Sequence, residues 1–283
     1  MNRIELKEKA KKIFLGRYWL LVGIFAIIMA ITGAVTGLSS GGSSLSSGFT
    51  RTLGDSGFSP EVSIAFSLIL LAIALVCCGA AILLSLFGTN MLEIGSASVA
   101  LKAMRGESYG IKDIFSAFKK GEYLRNVGAM ALYTLFVALP VFVCLIPIEV
   151  FLIIFAVLFA TKMAVWLFVI IYVLVSFIAV AGSCVPAFII QYGLSRVPYL
   201  LADDKEIKPM AAIKKSWEMM TGHKGEFFML RLSFLGWSLL KIITFGITGI
   251  FWSTPYMSLT LAGYHDELVS GYEGAEVVPE VIE

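Results

Sequence analysis

The chain has 283 residues, of which 58% are hydrophobic and 15% charged, and its mean hydropathy is +0.88. Soluble domains carry about 25% charged residues, so an ordinary globular domain is excluded, as is a disordered chain. Four cysteines are too few for a disulfide-stapled scaffold, and 22 Lys and Arg against 20 Asp and Glu is too even a balance for a nucleic-acid partner.

The expected class is all-α: a polytopic membrane helix bundle forming a single membrane domain over 1–283. Six spans are expected as three hairpins, each preceded by a cytoplasmic amphipathic helix. A helix needs about 20 apolar residues to cross the hydrocarbon, and its backbone groups must be satisfied internally. In chain order, an amphipathic helix over 1–17 leads into the first hairpin, 19–87. Its first span, Trp19–Leu38, carries no charge. That run exceeds the apolar core of a signal peptide and no A-x-A site follows, so it is expected to remain as a span. The segment Ser39–Gly48 is all Ser and Gly except Leu45, which predicts a flexible external loop over 39–60. Val62–Phe87 returns.

A second amphipathic helix is expected over 102–125, with Ile111, Ile114, Phe115 and Phe118 at helical spacing. The second hairpin, 127–195, contains two long apolar stretches, Val127–Thr161 and Met163–Ser195, with Pro140, Pro147, Pro186 and the nearby Pro198 as expected kink sites. A third surface helix over 203–225 places Met210, Ile213, Trp217 and Met220 at the same spacing, with Pro209 at its start and Gly222 suited to its end. The third hairpin, 227–264, comprises Phe227–Phe245 and Ile247–Tyr264, and an acidic cytoplasmic tail covers 265–283.

Charge sets the orientation. With six spans, 19 of the 22 Lys and Arg residues lie inside, and only Arg51, Lys162 and Lys241 lie outside. Both termini are then cytoplasmic. The segments entering the odd spans share a pattern: Gly16-Arg17-Tyr18-Trp19, Gly121-Glu122-Tyr123-Leu124 and Gly225-Glu226-Phe227-Phe228, spaced by 105 and 104 residues. Glycine would end the surface helix, the charge would stay among headgroups and the aromatic ring would anchor the interface. This pattern fits three copies of one unit, and equally fits convergence at any helix-to-span junction.

No motif for hydrolysis, nucleotide binding or metal binding occurs, so no enzymatic activity, cofactor or metal is expected. Cys77, Cys78, Cys144 and Cys184 lie in apolar spans and read as packing residues. Asn90, Glu93, Glu149 and Gln191 are the candidate intramembrane polar site, with solvated or capping roles as the alternative. Lys119, Lys120, Lys214, Lys215, Trp217 and Lys224 are the candidate surface for anionic lipid headgroups at the cytoplasmic face or for a protein partner. Two roles follow: a lipid-handling or transport and export component, or a membrane scaffold docking a partner through its basic helices.

Several segments carry a family likeness. Asn2-Arg3-Ile4-Glu5-Leu6-Lys7 opens the chain; Met104-Arg105-Gly106-Glu107 precedes Asp113-Ile114-Phe115-Ser116-Ala117-Phe118; Tyr199-Leu200-Leu201-Ala202-Asp203 precedes Met220-Thr221-Gly222-His223-Lys224. Leu232-Ser233-Phe234-Leu235-Gly236-Trp237 and Thr254-Pro255-Tyr256-Met257 follow. Over most of its length the sequence resembles the bacterial integral membrane family catalogued as domain of unknown function 975. The Ser/Gly loop and the long middle hairpin depart from that pattern. The resemblance implies a bacterial protein of the plasma membrane and brings with it no substrate, mechanism or catalytic residue.

Overall fold

The computed structural model describes residues 3–54, 69, 72, 76, 79–80, 83–159 and 165–276. All regular structure among them is helical. In order these are α1 (Arg3–Gly16), α2 (Tyr18–Gly54), a π-helical turn (Ser85–Thr89), α3 (Asn90–Arg105), α4 (Ile111–Ile114) with a short 3₁₀ turn (Ser116–Phe118), α5 (Tyr123–Phe159), α6 (Val165–Gly193), α7 (Val197–Asp203), α8 (Pro209–Met220), α9 (Lys224–Leu232), α10 (Leu235–Ile243), a second π-helical turn (Gly249–Ser253) and α11 (Thr254–Glu276). Two compact units form: Met1–Val127 with Phe234–Gly271, and Gly128–Ser233 with Tyr272–Glu283.

The first unit is organised around α3. Eleven of its 16 residues are buried, so it is a core helix. Leu6, Ala10 and Phe14 bury one stripe of α1, and Leu21, Val22, Ile24 and Phe25 bury the first turns of α2. Two close approaches depend on glycine. A Cβ built on Gly95 would overlap the backbone carbonyl of Ile114, and one on Gly263 would come within 2.6 Å of Leu6 Cδ1 and Met104 Cε. α3 ends at Gly106, whose φ of 76° is left-handed, and the Glu107 N–H returns to the Lys102 carbonyl at 2.9 Å.

Beyond Gly106 the expected single helix over 102–125 does not form. Gly106 and Gly121 both take positive φ, and between them lie only α4 and a 3₁₀ turn. Ile114 is buried while Ile111, Phe115 and Phe118 are exposed. Asp113 ties this segment to α3. Its Oδ1 accepts from Lys102 Nζ at 2.6 Å and its Oδ2 from the Gly110 N–H at 2.8 Å. Burial disfavours the ionised form, but these two hydrogen bonds and the fields of Lys102 and Lys119 outweigh it, so the carboxyl lies below its ordinary value. A group lowered on folding contributes stability above its unfolded value, about 3.9, and loses that contribution as pH falls through the folded value. Asp113→Asn is therefore expected to lower the melting temperature at neutral pH, by an amount that shrinks as pH falls below the unfolded carboxyl value, measured by thermal unfolding in detergent.

Two further differences from the sequence reading are local. The backbone of Ser39–Gly48 is helical, continuing α2 to Gly54 where a flexible loop is expected; residues 55–60 of that loop lie outside the described residues. Helix propagation costs little once a long apolar segment has nucleated it. The expected span Phe227–Phe245 is broken at Ser233-Phe234 into two nine-residue helices, α9 and α10. The helices run through Pro140, Pro147 and Pro186 without interruption, and Pro198 occupies the first turn of α7. At the third junction Gly225 lies inside α9; the glycine with positive φ is Gly222, at 86°, in the turn after the C-cap residue of α8, Thr221.

Among the described residues two helical segments are long and apolar enough to cross a membrane, Tyr18–Val35 and one within Val173–Asp203. The second is 6% buried. Along it Val173, Leu174, Phe177, Ile178 and Val180 are all exposed. An apolar face this large without protein cover points to association with a membrane.

Candidate functional site: a basic helix surface

In the second unit, α6 ends where α8 crosses it. Gly193 is the contact point: a Cβ there would overlap the Trp217 indole ring. Ser216, fully buried on α8, donates from Oγ to the Gly193 carbonyl at 2.8 Å and accepts the Arg196 N–H at 3.2 Å. Ala212, Ile213, Met219 and Met220 bury the same side of α8. Of the expected apolar stripe, Ile213 and Met220 face inward, while Met210 and Trp217 stay exposed.

The outer side of α8 carries charge and aromatic rings. Lys224 Nζ sits 3.6 Å from the Trp217 ring centroid. A cation at the first residue of α9 meets the positive end of that helix, and the ring face offsets the cost. Lys214 pairs with Glu218 at 3.7 Å, Tyr272 Oη donates to Glu218 at 3.0 Å, and Lys215 lies 6.0 Å from the Tyr272 ring. Four of the six surface residues expected from the sequence, Lys214, Lys215, Trp217 and Lys224, thus form one patch. Lys119 and Lys120 are exposed in the first unit, next to an aromatic group in which Phe118 stacks on Tyr123 at 5.8 Å.

Arg196 counts among the 19 cations expected on the inner side, and its burial is not expected from the sequence: it is 0% exposed. Its guanidinium lies between two rings, 4.8 Å from Tyr199 and 4.7 Å from Phe227, and its Nε donates to Ser195 Oγ at 3.3 Å. Tyr192 meets Phe227 edge-on at 5.4 Å, completing an aromatic cage beneath the basic patch. The sequence places Tyr192 and Tyr199 within four residues of Arg196; Phe227 reaches it only through the fold.

The intramembrane polar candidates are not gathered in either unit. Asn90 and Glu93 share the first turn of α3; Asn90 Nδ2 is buried without a hydrogen bond, and Glu93 is exposed. Gln191 is exposed near the end of α6, in the other unit. Glu149 belongs to α5, and its side chain lies outside the described residues.

A feature absent from the sequence reading is a cleft of about 350 Å³ in the first unit, rimmed by Glu5, Lys9, Asp266 and Glu267 over a floor of Leu6, Met104 and Gly263. Arg105 holds Asp266 at 2.7 Å. Burial and then Glu5 raise the Glu267 carboxyl, with Lys9 opposing them. Among the described residues no group of three His, Cys, Asp or Glu is placed to hold a metal ion.

Compared with known families, residues 1–270 match the one described as "Protein of unknown function (DUF975)". No curated protein and no solved structure matches the chain.

Proposed function

We propose that this chain, which belongs to the DUF975 family of proteins of unknown function, is a non-enzymatic multi-pass protein of the cytoplasmic membrane that acts in lipid handling or as a transport component, engaging anionic headgroups through its cytoplasmic helices. The observation that carries this reading is the meeting, in the second unit, of an uncovered apolar helix with a cation–aromatic patch. The apolar side of α6 needs acyl chains around it. At its end Trp217, Lys224, Lys214 and Lys215 supply the indole and ammonium groups that favour the headgroup region. The charge census supports cytoplasmic termini, because it needs an even number of crossings.

A repeated design supports the three-unit reading. Each returning helix carries a glycine pressed against a surface segment: Gly95 against Ile114, Gly193 against Trp217 and Gly263 against Leu6. The first two are pressed by the surface segment that follows them, and the last by the one that opens the chain.

The test is lipid retention by the purified protein in mixed micelles containing phosphatidylglycerol or phosphatidylcholine. Each lysine near an anionic surface contributes about 1 kcal/mol, so the triple variant Lys214→Gln, Lys215→Gln, Lys224→Gln is expected to bind phosphatidylglycerol about 100-fold more weakly. Equal retention of both lipids, unchanged in the variant, would refute the lipid reading and leave the basic helices to a protein partner.

A further inference from the structure

We infer that the hairpin formed by α10, the second π-helical turn and the start of α11 does not cross the membrane, but inserts its tip among the acyl chains of the cytoplasmic leaflet and returns. This inference rests on the membrane reading above and replaces the expected third pair of spans. Its residues belong to the first unit, as do Lys7, Phe14 and Met29, which they meet.

The contacts with α1 set the depth of the hairpin. That helix carries Lys7, Glu8, Lys9, Lys11 and Lys12, which belong in water or among headgroups. Lys7 Nζ lies 4.4 Å from the Phe234 ring, where the hairpin begins, and Phe234 packs edge-on against Tyr256 at 5.5 Å. Phe14 packs edge-on against Trp252 at 5.2 Å, and Trp252 stacks on Trp237 at 6.1 Å. These aromatic pairs fix the hairpin base at the level of a charged helix. From Trp252 to the tip at Phe245 is seven residues, about 10 Å of helix against a core of about 30 Å.

Against α2, Thr254 Oγ1 reaches Met29 Sδ at 3.6 Å, and Ala30, Ile31, Gly33 and Ala34 of α2 are exposed.

The tip is built for hydrocarbon. Phe245 is 97% exposed, and Leu239, Ile242, Ile243 and Ile247 around it are exposed as well. The turn places Phe245 and Gly246 at φ 49° and 89°, and still satisfies its own backbone. Gly246 N–H donates to the Lys241 carbonyl at 2.8 Å, Ile247 N–H to the Thr244 carbonyl at 3.1 Å, and Thr248 N–H to Thr244 Oγ1 at 3.3 Å. Backbone at membrane depth requires such internal partners. The hairpin also removes an anomaly in the charge census. Lys241 is one of only three cations that six spans would place outside; here it lies on the cytoplasmic side, its aliphatic stem packed on Gly249 and its amine able to snorkel back.

The experiment uses the full chain with its native cysteines replaced by serine and a single cysteine at Phe245→Cys, or at Ile247→Cys should the first variant fail to accumulate. Intact cells are treated with a membrane-impermeant maleimide; Lys162→Cys reports the outside and Lys215→Cys the inside. An environment-sensitive dye on the same cysteine is then read in vesicles of acyl-brominated phosphatidylcholine. Protection from the external reagent, with blue-shifted emission quenched by the brominated chains, supports the inference. Labelling of the tip from outside at the rate of Lys162→Cys overturns it while leaving the membrane reading intact. Release of the whole protein by carbonate washing overturns the membrane reading itself, and the hairpin with it.

Discussion

Gly95→Ala is expected to destabilise the first unit by about 3 kcal/mol or more, seen as a large drop in the melting temperature of the detergent-solubilised protein. The added methyl would overlap the carbonyl oxygen and carbon of Ile114, both backbone atoms. Backbone does not swing aside as a side-chain end does, so α3 and the 111–118 segment must separate. The contacts that depend on that closeness weaken together: the Lys102–Asp113 ion pair, the burial of Ile114 and Ala117, and the hydrogen bond from Asn126 Nδ2 to the Ala117 carbonyl at 3.2 Å. Gly263→Ala is the internal control. Its methyl would meet the ends of the flexible Leu6 and Met104 side chains, and a loss of about 1 kcal/mol is expected. Equal losses at the two positions would disprove the distinction between backbone and side-chain obstruction.

Arg196→Ala is expected to cost the second unit about 3–4 kcal/mol, by loss of two desolvated ring contacts and the opening of a cavity. The guanidinium is planar and fits between Tyr199 and Phe227. An ammonium keeps the charge but cannot stack, so Arg196→Lys should fall between alanine and the parent. The same variants should also weaken phosphatidylglycerol retention, because the guanidinium packs on Phe227 in α9, the helix whose first residue is Lys224. A lysine variant as stable as the parent would show that charge alone is needed and that the stack contributes nothing.

Much of the helical architecture could be read directly. The start of α8 at Pro209 follows from a ring that fits a first helical turn, and the turn after its last residue, Met220, from a glycine at 222 that accepts positive φ. The boundary between α1 and α2 at Gly16-Arg17 follows from the change from mixed charge to an uninterrupted apolar run. The misreadings have identifiable causes. The stripe at Ile111, Ile114, Phe115 and Phe118 has helical period, but the backbone leaves the α-helix at Phe115 after one turn and becomes extended at Lys119. The Ser/Gly stretch after Leu38 has the composition of a loop, while its backbone follows the long helix before it. The polar residues Asn90, Glu93 and Gln191 resemble one another in being rare polar groups near span ends, but composition does not say which of them share a face or a unit.

What the sequence by itself determined is the all-helical class, the apolar character of the long helices and the placement of basic residues beside their ends, because these depend on local composition and period. Tertiary structure alone decided that Arg196 is buried in an aromatic cage, that Gly95, Gly193 and Gly263 are points of closest approach, and that the 227–245 stretch breaks into two helices. Each of these depends on partners far away along the chain: Phe227 for Arg196, Leu6 for Gly263, Trp252 for Trp237. Periodicity records which face of a helix is apolar. It does not record what that face meets, and desolvation and steric overlap are set by what it meets.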